Sequence, residues 1–269
     1  MIESLLERHP AGGKTVVFKK IKASIRYKRL NAKILSEVGR ALEPNRESDV
    51  TIRFPAQYGR NLPERVIEIF FARLYYKPGL RVLDVGCSNA MESHLQMDRN
   101  LEPPRNIAGI DISVPSERTR RCYDRFLHES IVSSRIEEGS FDLIWCISAL
   151  EHFGMDNSSY TDQFILSEDM DVQAAKEMVR ILAPGGRLLI TVPYGKYENH
   201  TWLRNYDGDH LQNLLVSIEC HADIQTSFYR HTHGTGWRAA TVEELEHVGY
   251  YDQSNSGAAG LAVITATRR

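Results

Sequence analysis

The chain has 269 residues, of which 42% are hydrophobic and 25% are charged, a composition typical of a globular protein with one α/β domain and an extension. No apolar run approaches the roughly 20 residues of a membrane-spanning helix, and the N-terminus lacks a secretory signal pattern, so we expect a cytoplasmic protein. The net charge of −2 is uneven, because residues 1–46 contain eleven Lys and Arg against four Asp and Glu, whereas the remainder contains 22 against 31.

The basic N-terminal segment is predicted to be helical. Apolar residues recur at helical spacing between positions 15 and 40, among lysines and arginines, which predicts one or two amphipathic helices. Their charge has two interpretations, a solvated helix face or contact with an anionic surface such as a membrane or a phosphate-linked substrate. Three prolines between positions 43 and 63 indicate an extended linker or lid. We therefore predict a basic helical extension and linker at residues 1–62, outside the functional site, and a main domain at residues 63–269.

Helical and strand patterns alternate along the main domain. This alternation predicts a doubly wound, mostly parallel α/β sheet. The predicted helices are residues 63–76, 91–97, 118–127, 169–182, 211–218 and 242–248. The predicted strands are residues 82–85, 107–110, 131–132, 141–147, 187–192, 223–230 and 261–267, with a turn at residues 184–186 before the fifth.

The most informative stretch is RVLDVGCSNA at residues 81–90. A short apolar strand ends there in a turn of small residues before a predicted helix, which places backbone N–H groups where a nucleotide-like ligand binds. Asp84 lies at the end of this strand, and Asp111 closes the next one, at an offset suited to a pair of ribose hydroxyls. Gly86 alone is also consistent with an ordinary tight turn, and Asp111 with a turn residue or a helix cap.

Two further segments follow in order, SFDLIWCISALEHFG at residues 140–154 and LAPGGRLLITVPYG at residues 182–195. Together the four segments resemble the class I S-adenosylmethionine-dependent methyltransferases over residues 80–269. The resemblance implies a seven-stranded Rossmann-like sheet with an antiparallel last strand, and S-adenosyl-L-methionine as cofactor. Where that family shows Gly-x-Gly-x-Gly, this chain has Gly86, Ser88 and Ala90, which are small enough for close backbone approach. ISALEHFG and VPYGKY further resemble methyltransferase type 11-like enzymes of bacterial polysaccharide and glycan biosynthesis.

The resemblance implies a cofactor site along the carboxyl edge of the sheet. It places the ribose on Asp111 and the methionine end near Asp84 and Gly86. The family often has an acid before the fourth strand that receives the adenine amino group, and this chain has Ser130 there with Glu129 beside it. The full predicted set of cofactor-binding residues is Asp84, Gly86, Cys87, Ser88, Asp111, Ile112, Glu129, Ser130, Cys146 and Ile147.

The acceptor side is predicted from the turns after the fourth and fifth strands. Methyl transfer to a hydroxyl needs a base that titrates near neutral pH, and His152, with an ordinary pKa of about 6.5, is the first candidate, a structural role being the alternative. His200 and Asp207 are the reserve catalytic candidates. Residues 192–210 are rich in aromatic, amide and acidic groups suited to a sugar ring, although a surface loop can share that composition. From it we predict acceptor contacts by Tyr194, Asn199, Trp202 and Tyr206.

We therefore expect methyl transfer to a hydroxyl of a sugar or glycan acceptor, free or lipid-linked. A small-molecule or lipid methyltransferase, and a non-catalytic interaction module, stay open as alternatives. The absence of GxGxxG disfavours a nicotinamide oxidoreductase, and the acidic main domain disfavours a nucleic-acid partner, while the basic segment allows a peripheral membrane contact. His231 and His233 lack a third ligand at metal-binding spacing, and the four cysteines form no CxxC pair, so we predict no metal and no disulfide.

Overall fold

The structure is a computed structural model that describes residues 13–45, 52–90, 106–158, 161, 163–252 and 257–269, with the backbone alone at residues 13–24. None of the described helices is both long and apolar enough to cross a bilayer. The helices are α1 (Gly13–Asn45), α2 (Arg65–Tyr75), α3 (Glu117–Arg120), α4 (Met170–Ile181), α5 (Gly208–Val216) and α6 (Val242–Leu245). The strands are β1 (Val82–Val85), β2 (Ile107–Asp111), β3 (Arg125–His128), β4 (Phe141–Ile147), β5 (Leu182–Pro193), β6 (Glu198–Asn199), β7 (Arg204–Asn205), β8 (Ala222–Thr232), β9 (Gly236–Ala240) and β10 (Gly260–Arg268).

The described part of the chain forms an 8-stranded sheet in the order β3-β2-β1-β4-β5-β10-β8-β9. The strands from β3 to β5 are parallel, and β10 inserts antiparallel between β5 and β8. This confirms the doubly wound, mostly parallel Rossmann-like sheet with an antiparallel last strand. The predicted count of seven strands is one too low, because β9 pairs with β8 through a turn containing Gly234 and Gly236 at positive φ. The segment GWRAA of β9 has too little apolar alternation to be predicted as a strand.

Each face of the sheet packs against helices, and β1 shows why. All four of its residues are buried, as expected for a central parallel strand. Leu83 and Val85 belong to the core shared with α4 and α5, whereas Val82 belongs to the core shared with α1 and α2. The sheet therefore has a hydrophobic layer on both sides, and its polar chemistry is confined to the strand ends.

The N-terminal segment forms one helix over the described residues, and its second half is part of the core. Ile34, Val38 and Ala41 are fully buried in the cluster that also contains residues of α2 and the sheet. The following segment is also packed, since Tyr58 is buried and its hydroxyl donates to the Val66 carbonyl at 2.9 Å. The domain boundary at residue 62 stays a prediction, but the described residues 34–45 and 52–62 stabilise the main domain by burying apolar surface against it.

The stretch after β2 differs from the prediction. Residues 118–127 are not one helix, because α3 ends at Arg120 and β3 begins at Arg125. The third strand predicted at residues 131–132 is instead a 3-10 turn, Ile131–Ser133. β3 pairs only with β2 among the described strands and its side chains are partly or fully exposed, so it lacks the apolar run expected of a parallel strand. The predicted helix at residues 91–97 lies outside the described residues.

The other elements match within a few residues. The turn predicted at residues 184–186 lies inside β5, where Gly185 has a positive φ of 75° and the pairing with β4 shifts register. α5 begins three residues before its predicted start, because the Asp207 carboxylate caps it.

Candidate active site

The carboxyl ends of the five parallel strands meet along one edge, and the predicted site residues follow them there. Such an edge is the usual ligand-binding position of an open α/β sheet. β1 leads into Gly86, β2 ends at Asp111, and β4 leads into Ser148. β3 ends just before Glu129 and Ser130, and β5 ends just before Tyr194.

Gly86 begins the turn after β1 and cannot be replaced without local rearrangement. Its φ is +74°, a left-handed conformation that favours glycine. A Cβ at this position would lie 2.4 Å from the Ala149 Cβ. The Gly86 N–H donates a hydrogen bond to the Ile110 carbonyl at 3.0 Å. The turn therefore lies directly against the segment that follows β4, so the predicted cofactor loop and the predicted acceptor side are adjacent.

Asp111 at the end of β2 is oriented by the same turn. Its Oδ2 accepts the Ser88 N–H at 2.8 Å, and its Oδ1 accepts the Ser113 N–H at 2.7 Å. Burial raises the pKa of Asp111, although these two backbone hydrogen bonds oppose the shift. A carboxylate has about four lone-pair sites, so each oxygen retains capacity for a ribose hydroxyl. The carboxylate is thus held in a fixed position with acceptor capacity left, which fits its predicted role.

Asp84 is buried under the turn. Its Oδ2 accepts the Tyr123 hydroxyl hydrogen at 2.6 Å. Burial and the nearby Asp84 raise the pKa of Tyr123 well above its usual value, and burial does the same for Cys87. A Cβ on Gly109 would lie 2.8 Å from the Cys87 Sγ, so this part of the site is closely packed. The sequence did not identify Tyr123, because residues 118–127 were predicted to be a helix.

The adenine candidates lie beside β2 at the end of β3. The His128 ring Nε2 lies 2.9 Å from the Ile112 carbonyl oxygen, which accepts its hydrogen and joins the ends of the two strands. Glu129 and Ser130, both partly exposed, follow directly and precede the Ile131–Ser133 turn. Ile112, Glu129 and Ser130 are therefore neighbours along the edge. Cys146 and Ile147, the last residues of β4, are buried there.

A buried polar network supports the end of β4. Ser148 has a φ of +42°, unusual for a residue with a side chain, and its hydroxyl donates to Glu68 Oε1. The Thr191 hydroxyl donates to the same oxygen at 2.9 Å, and Arg65 pairs with the other oxygen of Glu68 at 2.9 Å. Glu68 thus links α2 to the ends of β4 and β5. The sequence analysis missed it, and its only signal was one carboxylate within an otherwise apolar helix.

His152 lies one short turn beyond Ser148. Its Nδ1 lies 2.8 Å from the Trp202 carbonyl oxygen, which can only accept, so Nδ1 bears the hydrogen and Nε2 is the basic nitrogen. The His152 and Trp202 rings stack with centroids 5.3 Å apart. Burial lowers the pKa of His152 to about 4, so the imidazole is neutral at pH 7. The near-neutral titration expected from the sequence is therefore corrected, because a buried imidazole resists protonation.

Carboxyl groups surround this turn. Glu151 is buried, and burial raises its pKa to about 8, while its Oε1 lies 3.9 Å from His152 Nε2. Burial and the nearby Glu68 raise the pKa of Glu64 to about 7. Among the described residues, one oxygen of Glu64 and one of Glu151 have no hydrogen-bond partner. Both pKa values are therefore raised toward neutral pH, and Glu151 is the carboxyl group beside the predicted base.

The segment after β5 separates into core and surface residues. Tyr194 and Tyr206 are buried, where Tyr194 packs on Phe228 with ring centroids 4.7 Å apart and the Tyr206 hydroxyl donates to Asp171 at 2.6 Å. Packing accounts for both tyrosines, and their burial leaves no surface for the acceptor contact predicted from the sequence. Asn199 is exposed on β6, and Trp202 is partly exposed between β6 and β7. These two remain available to an acceptor.

The reserve catalytic candidates have other partners. Asp207 is the N-cap of α5 and accepts hydrogen bonds from the His210 N–H at 3.0 Å and from its ring Nδ1 at 2.6 Å. Although burial opposes the shift, these bonds lower the pKa of Asp207. His200 is partly exposed, with Nε2 3.2 Å from Glu198 Oε2. Of the two, His200 is the better placed to meet a ligand.

The described part of the chain contains no group of three or more His, Cys, Asp and Glu side chains that could hold a metal ion. His231 is buried on β8, where its ring packs near Trp237, whereas His233 is exposed beyond the end of that strand. The prediction of no metal stays a prediction for the whole chain.

The topology and the edge site define a class I, Rossmann-like methyltransferase fold. In agreement, residues 83–190 match the family model described as a methyltransferase domain. The match covers the turn after β1, the end of β2 and the whole of β4. Asp111, fixed by two backbone N–H groups, and the close approach of Gly86 fit the cofactor. No curated protein matches the chain at a significant level.

Several solved structures are similar in fold. They include an S-adenosylmethionine-dependent methyltransferase from Archaeoglobus fulgidus, at 13% identity and a TM-score of 0.49 over 78% of this chain and 96% of that one. The YcgJ protein from Bacillus subtilis has 16% identity and a TM-score of 0.47, over 76% and 97%. A 1,6-didemethyltoxoflavin-N1-methyltransferase from Burkholderia thailandensis with bound S-adenosylhomocysteine has 16% identity and a TM-score of 0.44, over 70% and 71%. Similarity at this level transfers no acceptor to this chain.

Proposed function

We propose that this protein transfers the methyl group of S-adenosylmethionine to a hydroxyl of a sugar or glycan acceptor. The observation that carries the proposal is the stacked pair of His152 and Trp202, which lies at the carboxyl edge next to the cofactor turn. A neutral imidazole with an accepting Nε2 suits proton removal from a hydroxyl, and an aromatic face beside carboxyl groups suits a ring with several hydroxyls.

Bound S-adenosylmethionine supplies an electrophilic methyl group on a sulfonium. Asp111 would hold its ribose, and the turn at Gly86 and Ser88 would hold its methionine end. Trp202 and Asn199 would orient the acceptor, and this alignment of the two reactants would supply much of the rate gain. His152 Nε2 would accept the proton of the acceptor hydroxyl. Glu151, 3.9 Å away, would stabilise the resulting imidazolium when it is ionised.

This arrangement predicts a pH dependence that belongs to the Glu151–His152 pair. The pKa of His152 is lowered to about 4, so this side chain is already neutral at every pH above about 5. The pKa of Glu151 is raised to about 8, and only its ionised form stabilises the imidazolium, so turnover should rise with pH through about 8 rather than through the histidine range. Glu151→Gln should remove that rise.

The test is mass spectrometry of methylated products from candidate glycans incubated with the protein and S-adenosylmethionine. We expect His152→Ala to lower turnover by roughly 10²- to 10⁴-fold with cofactor affinity unchanged. Trp202→Ala should mainly raise KM. If His200→Ala or Asp207→Asn abolishes turnover while His152→Ala does not, the base assignment is wrong. Product formed only from small molecules or lipids would select the alternative acceptor class.

A further inference from the structure

The N-terminal half of α1 combines a high positive charge with an exposed apolar residue. Between positions 13 and 36 the chain has eight Lys and Arg and no Asp or Glu. All of these positions lie on one continuous helix. Arg26, Lys28, Arg29 and Lys33 are exposed, as is Ile25, at 45% of its full surface. Such a surface is unusual for a helix that merely covers a core.

Ile25 lies on the face of α1 opposite the residues that pack into the core. Asn31, Ile34 and Val38 are buried, which fixes the core-facing side of the helix. At about 100° per residue, the nine positions between Ile25 and Ile34 place Ile25 on the opposite face. Positions 18 and 21, Phe and Ile in the sequence, recur at the i, i+3, i+7 spacing that ends at Ile25. The sequence therefore places three apolar positions on one face of the first half, and the described one, Ile25, is exposed.

A second basic segment, α3, contacts α1 on the side opposite Ile25. Arg118 of α3 lies over the Tyr27 ring, with its guanidinium carbon 5.4 Å from the ring centroid. Tyr27 is two positions after Ile25, about 200° around the helix, so this contact is on the core-facing side. Arg120 and Arg121 are exposed at and directly after the end of α3, where Glu117 pairs with Arg121. α3 therefore adds positive charge near α1 but does not adjoin the Ile25 face.

We propose that residues 13–33 of α1 dock on a membrane surface of anionic phospholipid. A basic helix with an apolar stripe lies in the bilayer interface, where each Lys or Arg near the surface and each buried apolar side chain adds to binding. The exposed Ile25, on the face that the sequence makes apolar, favours lipid over nucleic acid, whose backbone offers charge without an apolar layer. The acidic remainder of the chain would face away from the membrane.

The proposal is independent of the acceptor. The test is co-sedimentation of the full chain with vesicles of phosphatidylcholine mixed with phosphatidylglycerol, against vesicles of phosphatidylcholine alone. The charge variant replaces four exposed basic residues with glutamine: Arg26→Gln, Lys28→Gln, Arg29→Gln and Lys33→Gln. The matched control removes four exposed charges elsewhere: Arg53→Gln, Lys77→Gln, Arg135→Gln and Lys176→Gln.

We expect the wild type to bind the anionic vesicles and not the neutral ones. The charge variant should bind about tenfold or more weakly, since surface attraction is worth on the order of one kcal/mol per basic residue, and the control should bind like the wild type. Ile25→Ser should weaken vesicle binding although all charges are retained. Raising the salt concentration from about 0.15 to 1 M shortens the screening length from about 8 to 3 Å and should also weaken vesicle binding.

Equal binding to both vesicle types, or unchanged binding of the charge variant, would overturn the proposal. So would tight binding to duplex DNA or RNA by a protein that ignores vesicles. Titration calorimetry with S-adenosylhomocysteine checks that each variant is folded. None of the substituted residues belongs to the cofactor site, so an unchanged cofactor affinity indicates an intact fold.

Discussion

Replacing Asp111 with alanine should remove the strongest single contact to the cofactor. In the structure Ser88 and Ser113 N–H groups fix both carboxylate oxygens, at 2.8 and 2.7 Å, so the group is already positioned for two ribose hydroxyls. A hydrogen bond to a charged acceptor is worth about 1.5–3 kcal/mol. Taking the lower value for each, because water replaces the carboxylate in the variant, the loss is about 3 kcal/mol, or a Kd increase of about 10²-fold.

Isothermal titration with S-adenosylhomocysteine measures this change. The matched control is Asp124→Ala, because the Asp124 carboxylate accepts a backbone N–H, that of Ile107 at 3.2 Å, at the other end of the same strand. The control should lose some thermal stability and retain affinity. An affinity in Asp111→Ala within about twofold of the wild type, or an equal loss in both variants, would refute the ribose assignment.

Gly86→Ala should weaken cofactor binding, because the added Cβ would lie 2.4 Å from the Ala149 Cβ. Gly79→Ala should lower stability without changing cofactor affinity, because Gly79 has a φ of +91° but its Cβ would meet nothing within 4 Å. Calorimetry measures the affinities and thermal denaturation the stabilities, and equal affinities of the two variants would contradict the account. Glu68→Ala should destabilise the fold by about 3 kcal/mol or more, because it removes a buried partner of Arg65. The control Glu117→Ala removes the partner of Arg121 in an exposed ion pair and should cost about 0–1 kcal/mol in denaturant unfolding. Because the pKa of Glu151 is raised to about 8, the folded state keeps a proton that the unfolded state releases, and stability should fall as pH rises from about 4.5 to 8. Glu151→Gln should flatten that decline. If the Tm of Glu151→Gln depends on pH between those values as the wild type does, the assigned pKa is wrong. In the opposite sense, the lowered pKa of His152 should make stability fall as pH drops from about 6.5 to 4, a loss that His152→Gln should reduce in the same Tm measurements.

The sequence predicted the elements whose burial is simple. β1 and β4 are central strands with apolar residues on both faces, so their patterns were unambiguous. β3 was missed because an edge strand of four partly exposed residues has no such pattern. The same limit applies to β9. Its Trp237 is buried, and the indole N–H donates a hydrogen bond to the carbonyl of Leu62, which is 175 residues away in the sequence. Pairing at that separation is a tertiary effect that local patterns do not contain.

The site was predicted unevenly for a related reason. Strand-end residues such as Asp111 can be located from topology alone, because parallel strands end at one edge. Glu68 and Tyr123 reach that edge from helix α2 and from the stretch before β3, so only the folded chain shows them. Tyr206 illustrates the reverse error, since an aromatic residue in a polar loop was predicted to face a ligand and instead donates to the buried Asp171. The boundary predicted at residue 62 likewise could not show that Ile34, Val38 and Ala41 pack into the core.

The most direct test of the account is a crystal structure of the protein with S-adenosylhomocysteine. We predict one molecule along the carboxyl edge, with both ribose hydroxyls within hydrogen-bond distance of Asp111 and the amino-acid end against the turn at Gly86. His152 should then face the side from which a methyl acceptor enters. Failure of the compound to bind at high concentration, or its binding away from this edge, would contradict the central claim.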